Sequence, residues 1–166
     1  MISRGALAAA LTLSFTPFVF AIDAGMPAPA LSLATLEEGK PLPMASLRGS
    51  VVYVDFWASW CVPCRLSMPA LDALYRRNKS RGFTVVGVNK DATAAEARRF
   101  LAKVPVTFTL AQDPADAAAR GFDVKAMPSG YLVDRKGVVR HVHRGFTAET
   151  GAELEREIDS LLKEPS

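Results

Sequence analysis

Two cysteines separated by two residues, Cys61 and Cys64, are the side chains of this sequence best suited to chemistry, and the chain has no others. Two thiols this close can be oxidised to a disulfide and reduced again, and the thiolate of one can attack a disulfide in another molecule. A purely structural disulfide is the weaker interpretation, because so short a loop restrains the unfolded chain little. The same spacing is half of a zinc site, but no second cysteine pair is present, and we expect no metal.

The cysteine pair lies where a buried strand is followed by a helix. Residues 51–56 form a β-branched and aromatic run typical of a strand buried on both faces, and residues 64–79 have helical periodicity, with Pro69 inside. Cys61 then lies at the helix N-terminus, where free N–H groups and the helix dipole favour a thiolate. Pro63 stiffens the loop and adds no competing donor. The apolar residues at helical spacing, predicted to form the buried face of this helix, are Leu66, Ala70, Leu71, Leu74 and Tyr75.

The remaining pattern predicts an α/β fold, a mixed sheet flanked by helices with an added N-terminal β-hairpin. The predicted strands are a hairpin of residues 30–34 with Leu42, then residues 83–89, 106–110, 130–134 and 138–143. The predicted helices are one begun by a Thr93–Glu96 capping box and running to about Lys103, one with Asp113 as N-cap and Pro114 at its first position running to Arg120, and a last one carrying Leu154, Ile158, Leu161 and Leu162.

The first 21 residues differ from the rest. Arg4 is their only charge, an apolar run follows from Gly5 to Ala21, and Val19 and Ala21 offer small residues at the spacing a signal peptidase reads. We therefore expect residues 1–21 to be a signal peptide, with an uncleaved membrane anchor over residues 5–21 as the alternative, and residues 22–166 to form one domain. Either way the domain is exported.

Composition excludes several classes of protein. Hydrophobic residues make up 49% of the chain and charged residues 22%, as in an ordinary globular domain rather than a disordered one. The net charge of +3 is small and no basic stripe is present, so we expect no nucleic-acid partner. Nothing in the sequence requires more than a monomer.

The segment from Val54 to Cys64, VDFWASWCVPC, resembles the active-site strand and loop of the thioredoxin superfamily. The preceding LRGSVVYVDFWA, after a loop with Gly39, resembles the exported TlpA/ResA-like branch. Met127-Pro128 and the hairpin after it are similar to the cis-proline segment of that family. The resemblance implies a thioredoxin-like fold over about residues 28–162 and a thiol–disulfide oxidoreductase whose redox group is the Cys61–Cys64 disulfide, without a further cofactor.

The resemblance also implies roles for single residues. Cys61 is the attacking nucleophile and Cys64 the resolving thiol. Pro128 is cis, which leaves the Met127 backbone free to pair with a substrate strand. Three loop residues, Trp60, Val62 and Pro63, are expected beside the substrate.

Asp55 lies six residues before Cys61, where thioredoxins carry a buried acid. Burial raises the pKa of a carboxyl group, so Asp55 is expected to accept the proton of Cys64; a structural hydrogen bond is the alternative. Thioredoxins often pair this acid with a lysine on the next strand, which is missing here, with Lys90 just beyond it. Trp57 and Trp60 are expected to pack around the site, and His141 and His143 to line an exposed strand face, with a metal pair as the alternative.

The direction of the reaction follows from the two residues between the cysteines. Val62 and Pro63 offer no polar group to a thiolate, and a less stabilised thiolate makes a more reducing couple. We therefore expect a periplasmic reductase of oxidised cysteines in exported proteins, including apocytochromes or copper-site proteins, recharged by a membrane electron donor. A disulfide oxidase or isomerase, a Cu(I) carrier and a peroxidase are the alternatives.

Overall fold

The computed structural model describes residues 22–113 and 115–165, so the signal or anchor predicted for residues 1–21 lies outside the described residues. A seven-stranded mixed sheet forms the centre of the described chain, with the strand order β2-β1-β5-β4-β3-β6-β7. The strands are β1 Ser32–Thr35, β2 Pro41–Pro43, β3 Val51–Trp57, β4 Phe83–Asn89, β5 Thr109–Gln112, β6 Ser129–Val133 and β7 Val139–Arg144. The helices are α1 Cys64–Asn78, α2 Ala94–Leu101, α3 Ala117–Gly121 and α4 Ala148–Lys163.

Strand β3 is the centre of the architecture. It pairs in parallel with β4 and antiparallel with β6, and all seven of its residues are buried. Successive side chains of a strand point to opposite faces, so β3 contributes to two cores. Tyr53 and Trp57 pack with α1 and α4 on one face, while Val52, Val54 and Phe56 pack towards α3 on the other. The β-branched and aromatic run thus correctly predicts a strand covered on both sides.

Two predicted elements begin later than the sequence suggests. The strand expected at residues 106–110 is found at Thr109–Gln112. The Asp72 carboxylate of α1 accepts hydrogen bonds from the Thr107 N–H at 2.6 Å and from the Thr107 hydroxyl at 2.8 Å. These bonds hold the segment around Thr107 away from the sheet. The helix expected from Asp113 begins at Ala117, after Asp116 at φ 58°.

Asp113 still caps helix α3, although it lies further from the helix along the chain than an N-cap residue does. Its carboxylate accepts hydrogen bonds from the N–H groups of Ala118 and Ala119, at 3.0 and 2.8 Å. Pro114, expected at the first helical position, lies outside the described residues.

Both margins of the sheet are covered or interrupted. On the β7 side, the Gly25 N–H donates to the Val139 carbonyl at 2.7 Å, the Val139 N–H to the Met26 carbonyl at 2.8 Å, and the Ala28 N–H to the Gly137 carbonyl at 2.9 Å. On the other side, β2 consists of Leu42 between two prolines. Within the described part of the chain, no helix has the length and apolar character needed to cross a membrane.

Candidate active site

Cys61 and Cys64 form a disulfide at the N-terminus of helix α1, with an S–S distance of 2.01 Å. Cys61 is 4% exposed and Cys64 is fully buried, so only Cys61 has surface through which another molecule can reach its sulfur. The Cys64 backbone N–H donates to the Cys61 sulfur at 3.3 Å. This donor belongs to the free end of the helix, where negative charge on sulfur is stabilised. The geometry fits Cys61 as the attacking sulfur.

A hydrogen-bonded clamp fixes the loop that leads into Cys61. The Asp91 carboxylate accepts from the Ser59 N–H at 3.1 Å and from the Ser59 hydroxyl at 3.0 Å. The Asn89 side chain donates to Asp91 at 2.9 Å and accepts from the Asp91 N–H at 3.1 Å. Sequence reasoning missed these residues. The signal was available, because β3 and β4 are adjacent parallel strands and the residues that follow them meet at one edge of the sheet.

Asp55 is buried in the middle of the sheet, on the face that also holds the cysteines. It lies between Tyr53 and Trp57 on β3, and both of these side chains belong to the core cluster that contains Cys61 and Cys64. Asp55 is 1% exposed, and its Oδ2 atom has no hydrogen-bond partner among the described residues. Burial raises the pKa of Asp55 to about 8. A carboxyl group with this pKa can exchange a proton near neutral pH.

Among the described residues, no lysine lowers the pKa of the Asp55 carboxyl group. Lys90 makes ion pairs with Asp113, at 3.4 Å, and with Asp116, on the α3 side of the molecule. Burial is accordingly the cause of the raised pKa of Asp55.

The peptide bond between Met127 and Pro128 is cis, as the resemblance implies. Pro128 is buried and directly precedes β6, whose first residue, Ser129, pairs with Phe56 of β3. The Ser129 hydroxyl donates to the Ala126 carbonyl at 2.7 Å and holds the turn. Within the described chain no backbone hydrogen bond engages Met127. The roles of Met127 and Pro128 in holding a substrate strand stay predictions.

Three large apolar side chains around the cysteines are exposed: Trp60 (65%), Val62 (72%) and Leu66 (69%). Pro63, between the cysteines, is also exposed. The expectation that Trp60 packs around the site is therefore wrong, while Trp57 is fully buried.

The prediction that Leu66 lies on the buried face of α1 is also wrong. The buried residues of this helix lie on one side of it: Cys64, Ser67, Met68, Leu71, Leu74 and Asn78. At 3.6 residues per turn, Leu66 points away from that side. Exposed apolar side chains that lie this close together in the sequence mark a candidate binding surface.

The two histidines do not line an exposed face. They lie on one side of β7 beneath α4, where His141 Nδ1 is 2.9 Å from Glu157 Oε1 and His143 Nε2 is 3.0 Å from Glu157 Oε2. His143 is only 8% exposed. The expectation of an exposed strand is therefore wrong, because α4 covers that face and supplies a carboxylate to both rings.

A mixed sheet with a buried strand leading into a cysteine pair at a helix N-terminus, opposite a cis-proline, defines a thioredoxin-like thiol–disulfide oxidoreductase. Comparison with known proteins supports this class and gives the family. The Redoxin family model matches residues 23–161, so the chain belongs to the Redoxin family.

Individual relatives agree with this assignment. The chain is 28% identical to the thiol-disulfide oxidoreductase ResA of Geobacillus kaustophilus, over 85% of this chain and 79% of that protein. It is 33% identical to the thioredoxin-like protein YneN of Bacillus subtilis, over 83% and 80%. A crystal structure described as a putative thiol:disulfide interchange protein DsbE from Chlorobium tepidum superposes with a TM-score of 0.81 at 42% identity, covering 86% of this chain and 99% of that one.

Proposed function

We propose that this oxidoreductase reduces disulfides of exported proteins in the periplasm, with Cys61 attacking and Cys64 resolving. The observation that carries the direction of the reaction is the surroundings of the Cys61 sulfur. Its one hydrogen-bond donor among the described residues is the backbone N–H of Cys64, at 3.3 Å, and the neighbouring Val62 side chain is apolar. With no side-chain donor, the thiolate is stabilised less than in an oxidising couple, and the dithiol gives up its electrons more readily.

The reaction proceeds in two exchange steps. The Cys61 thiolate attacks a client disulfide, a Cys61–client bond forms, and the other client sulfur leaves as a thiolate. Cys64 then gives its proton to the Asp55 carboxylate and attacks the Cys61 sulfur. The Cys61–Cys64 disulfide forms and the second client sulfur leaves, so two electrons pass from the protein to the client. A pKa of about 8 suits Asp55 to take up the proton at neutral pH.

The exposed apolar side chains of Trp60, Val62 and Leu66 are proposed as the surface on which the client and the electron donor dock. The Met127 backbone beside Pro128 offers unpaired groups to an extended client chain. We further propose that the protein works as a monomer with no cofactor beyond its disulfide, and that a membrane protein returns it to the dithiol state. Cysteine-containing exported proteins such as apocytochromes or copper-site proteins are the proposed clients.

The reduction potential of the Cys61–Cys64 pair tests the direction of the reaction. Equilibration of the purified protein in glutathione and dithiothreitol buffers, with the dithiol fraction measured by alkylation, is expected to give about −250 mV or lower. A potential above about −150 mV would show that the protein donates or reshuffles disulfides, and the reductase proposal would be abandoned.

A further inference from the structure

A row of polar groups extends sideways from Asp55 across the sheet. Asp55 on β3 pairs in register with Gly130 on β6, and Gly130 pairs with His143 on β7. Neighbouring strands lie about 4.8 Å apart, so the Asp55 and His143 backbones are about 10 Å apart. His143 contacts Glu157 of α4, and Glu157 contacts His141, which is 40% exposed. The row therefore leads from the buried acid to the surface.

The Tyr53 hydroxyl occupies the centre of this row. A Cβ atom added to Gly130 would overlap the Tyr53 hydroxyl, so the phenol lies directly over the Gly130 Cα, in the register between Asp55 and His143. The Tyr53 and His143 rings are 6.0 Å apart between centroids. Burial, then Asp55, then Glu157 raise the pKa of Tyr53 well above its ordinary value, so both carboxyl groups act on this one hydroxyl.

The far end of the row is a buried ionisable pair that disulfide exchange does not use directly. Among the described residues, His143 Nδ1 and Glu157 Oε2 are buried without a hydrogen-bond partner, so the 3.0 Å separation of His143 Nε2 and Glu157 Oε2 is a close charge contact without hydrogen-bond alignment. Burial lowers the pKa of His143 and raises the pKa of Glu157, and each partner opposes the shift of the other. The other ionisable groups that bear on the pair are Glu153 and Arg156 of α4, His141 of β7 and Tyr53 of β3, while Arg140 acts on His141.

We propose that Glu157, held between His141 and His143, acts through Tyr53 on Asp55 and thereby helps to set the pH range in which Asp55 exchanges a proton with Cys64. Glu157 is a positioning residue in this scheme, since it touches neither the cysteines nor the client. The inference rests on the proposed role of Asp55 as the proton acceptor of Cys64.

The physical basis is that the hydrogen of one hydroxyl can point towards only one carboxylate at a time. An ionised Glu157 draws the Tyr53 O–H towards itself and withdraws it from Asp55. It also repels a negative charge on Asp55 across a poorly screened interior. Both effects make Asp55 hold its proton to a higher pH. Loss of the Glu157 charge releases the hydroxyl to Asp55 and lets Asp55 ionise earlier.

The test is a carbon-13 NMR titration of the Asp55 carboxyl carbon in the reduced protein. Glu157→Gln is compared with Glu155→Gln, which removes the same charge from the same helix at an exposed position paired with Arg77. We expect Glu157→Gln to lower the pKa of Asp55 by about half a pH unit or more, and Glu155→Gln to leave it unchanged. Equal Asp55 titrations in the two variants would overturn the proposal.

A double-mutant cycle tests the part played by Tyr53 and protects against a change in the packing of α4. Tyr53→Phe removes only the hydroxyl, so the shift caused by Glu157→Gln is expected to shrink in the Tyr53→Phe background. An undiminished shift would show that Tyr53 is not the intermediary. The role of Asp55 itself is tested separately: if Asp55→Asn leaves the pH profile of Cys64 alkylation unchanged, the proton-acceptor role fails, whatever the Glu157 variants show.

Discussion

The Asp91 carboxylate holds Ser59 by both of its donors, the backbone N–H at 3.1 Å and the hydroxyl at 3.0 Å. Asp91 follows β4 and Ser59 follows β3, so the clamp joins the ends of two adjacent parallel strands two residues before Cys61. The redox loop is thereby fixed to the centre of the sheet.

Asp91→Ala is expected to destabilise the protein by about 2–3 kcal/mol, because it leaves the Ser59 N–H and the Asn89 side chain without their buried acceptor. Ser59→Ala is the matched control, since it removes the hydroxyl and keeps the backbone contact, and it is expected to cost about 1 kcal/mol. Urea unfolding of the oxidised protein measures both. Similar losses for the two variants would contradict the clamp through the backbone N–H.

The different burial of the two sulfurs predicts different behaviour of the two cysteine variants. Cys64→Ser is expected to accumulate a mixed disulfide between Cys61 and a client, because the buried resolving thiol is missing. Cys61→Ser is expected to form little of it, since Cys64 is fully buried. Non-reducing electrophoresis after incubation with an oxidised substrate protein measures the adduct. Equal trapping by both variants would remove the assignment of Cys61 as nucleophile.

Asp55 makes the stability of the protein depend on pH. Its pKa is raised from 3.8 to about 8, so the folded protein holds this proton more tightly than the unfolded chain. The resulting stability is fully present below about pH 4 and is lost as the pH rises through about 8. A shift of this size corresponds to at most about 6 kcal/mol, and we expect about 2–4 kcal/mol.

Asp55→Asn removes this titration, so the stability difference between variant and wild type is expected to move in favour of the variant from pH 4 to pH 8. Urea unfolding of the oxidised proteins at pH 4, 6 and 8 gives the difference at each pH. A difference that is constant over this range would mean that Asp55 does not titrate with a raised pKa.

Gly130→Ala is expected to destabilise the protein by about 3 kcal/mol or more, because a Cβ atom at this position overlaps the Tyr53 ring and hydroxyl in a fully packed core. Gly145→Ala is the control for a glycine kept for its conformation alone. Gly145 has φ 87° with open space around it, and the substitution is expected to cost about 1 kcal/mol. Thermal or urea unfolding compares them, and equal losses would show that Tyr53 yields to the methyl group.

The parts of the fold that the sequence predicts correctly are those whose environment is the same on every side or whose signal is local. Strand β4 is found at Phe83–Asn89 as predicted, because a strand covered on both faces is apolar throughout. The Thr93–Glu96 capping box is formed as predicted, because all its atoms lie within four residues. The cysteine loop belongs to the same group, since its motif is contiguous.

The parts that the sequence does not predict depend on partners far along the chain. Thr107 is held out of β5 by Asp72, and His143 is buried because Glu157 of α4 packs over it. Neither partner is recognisable from the local pattern. Leu66 illustrates a different limit: it is apolar like a core residue, but the arc of α1 that faces the sheet is selected by packing, and exposure of Leu66 is informative only once that arc is known.

The covered margins of the sheet have a consequence for the protein at high concentration. A sheet edge with free N–H and C=O groups invites strands from other molecules, which leads to domain swapping and fibrils. Here the start of β7 already pairs with residues 25–28, its later part carries Arg140 and Arg144, and the opposite edge offers Pro41 and Pro43, which have no N–H to donate. If the Met127 backbone pairs with a client strand as proposed, these covered edges keep the protein's own sheet from becoming a template for the assembly of that chain.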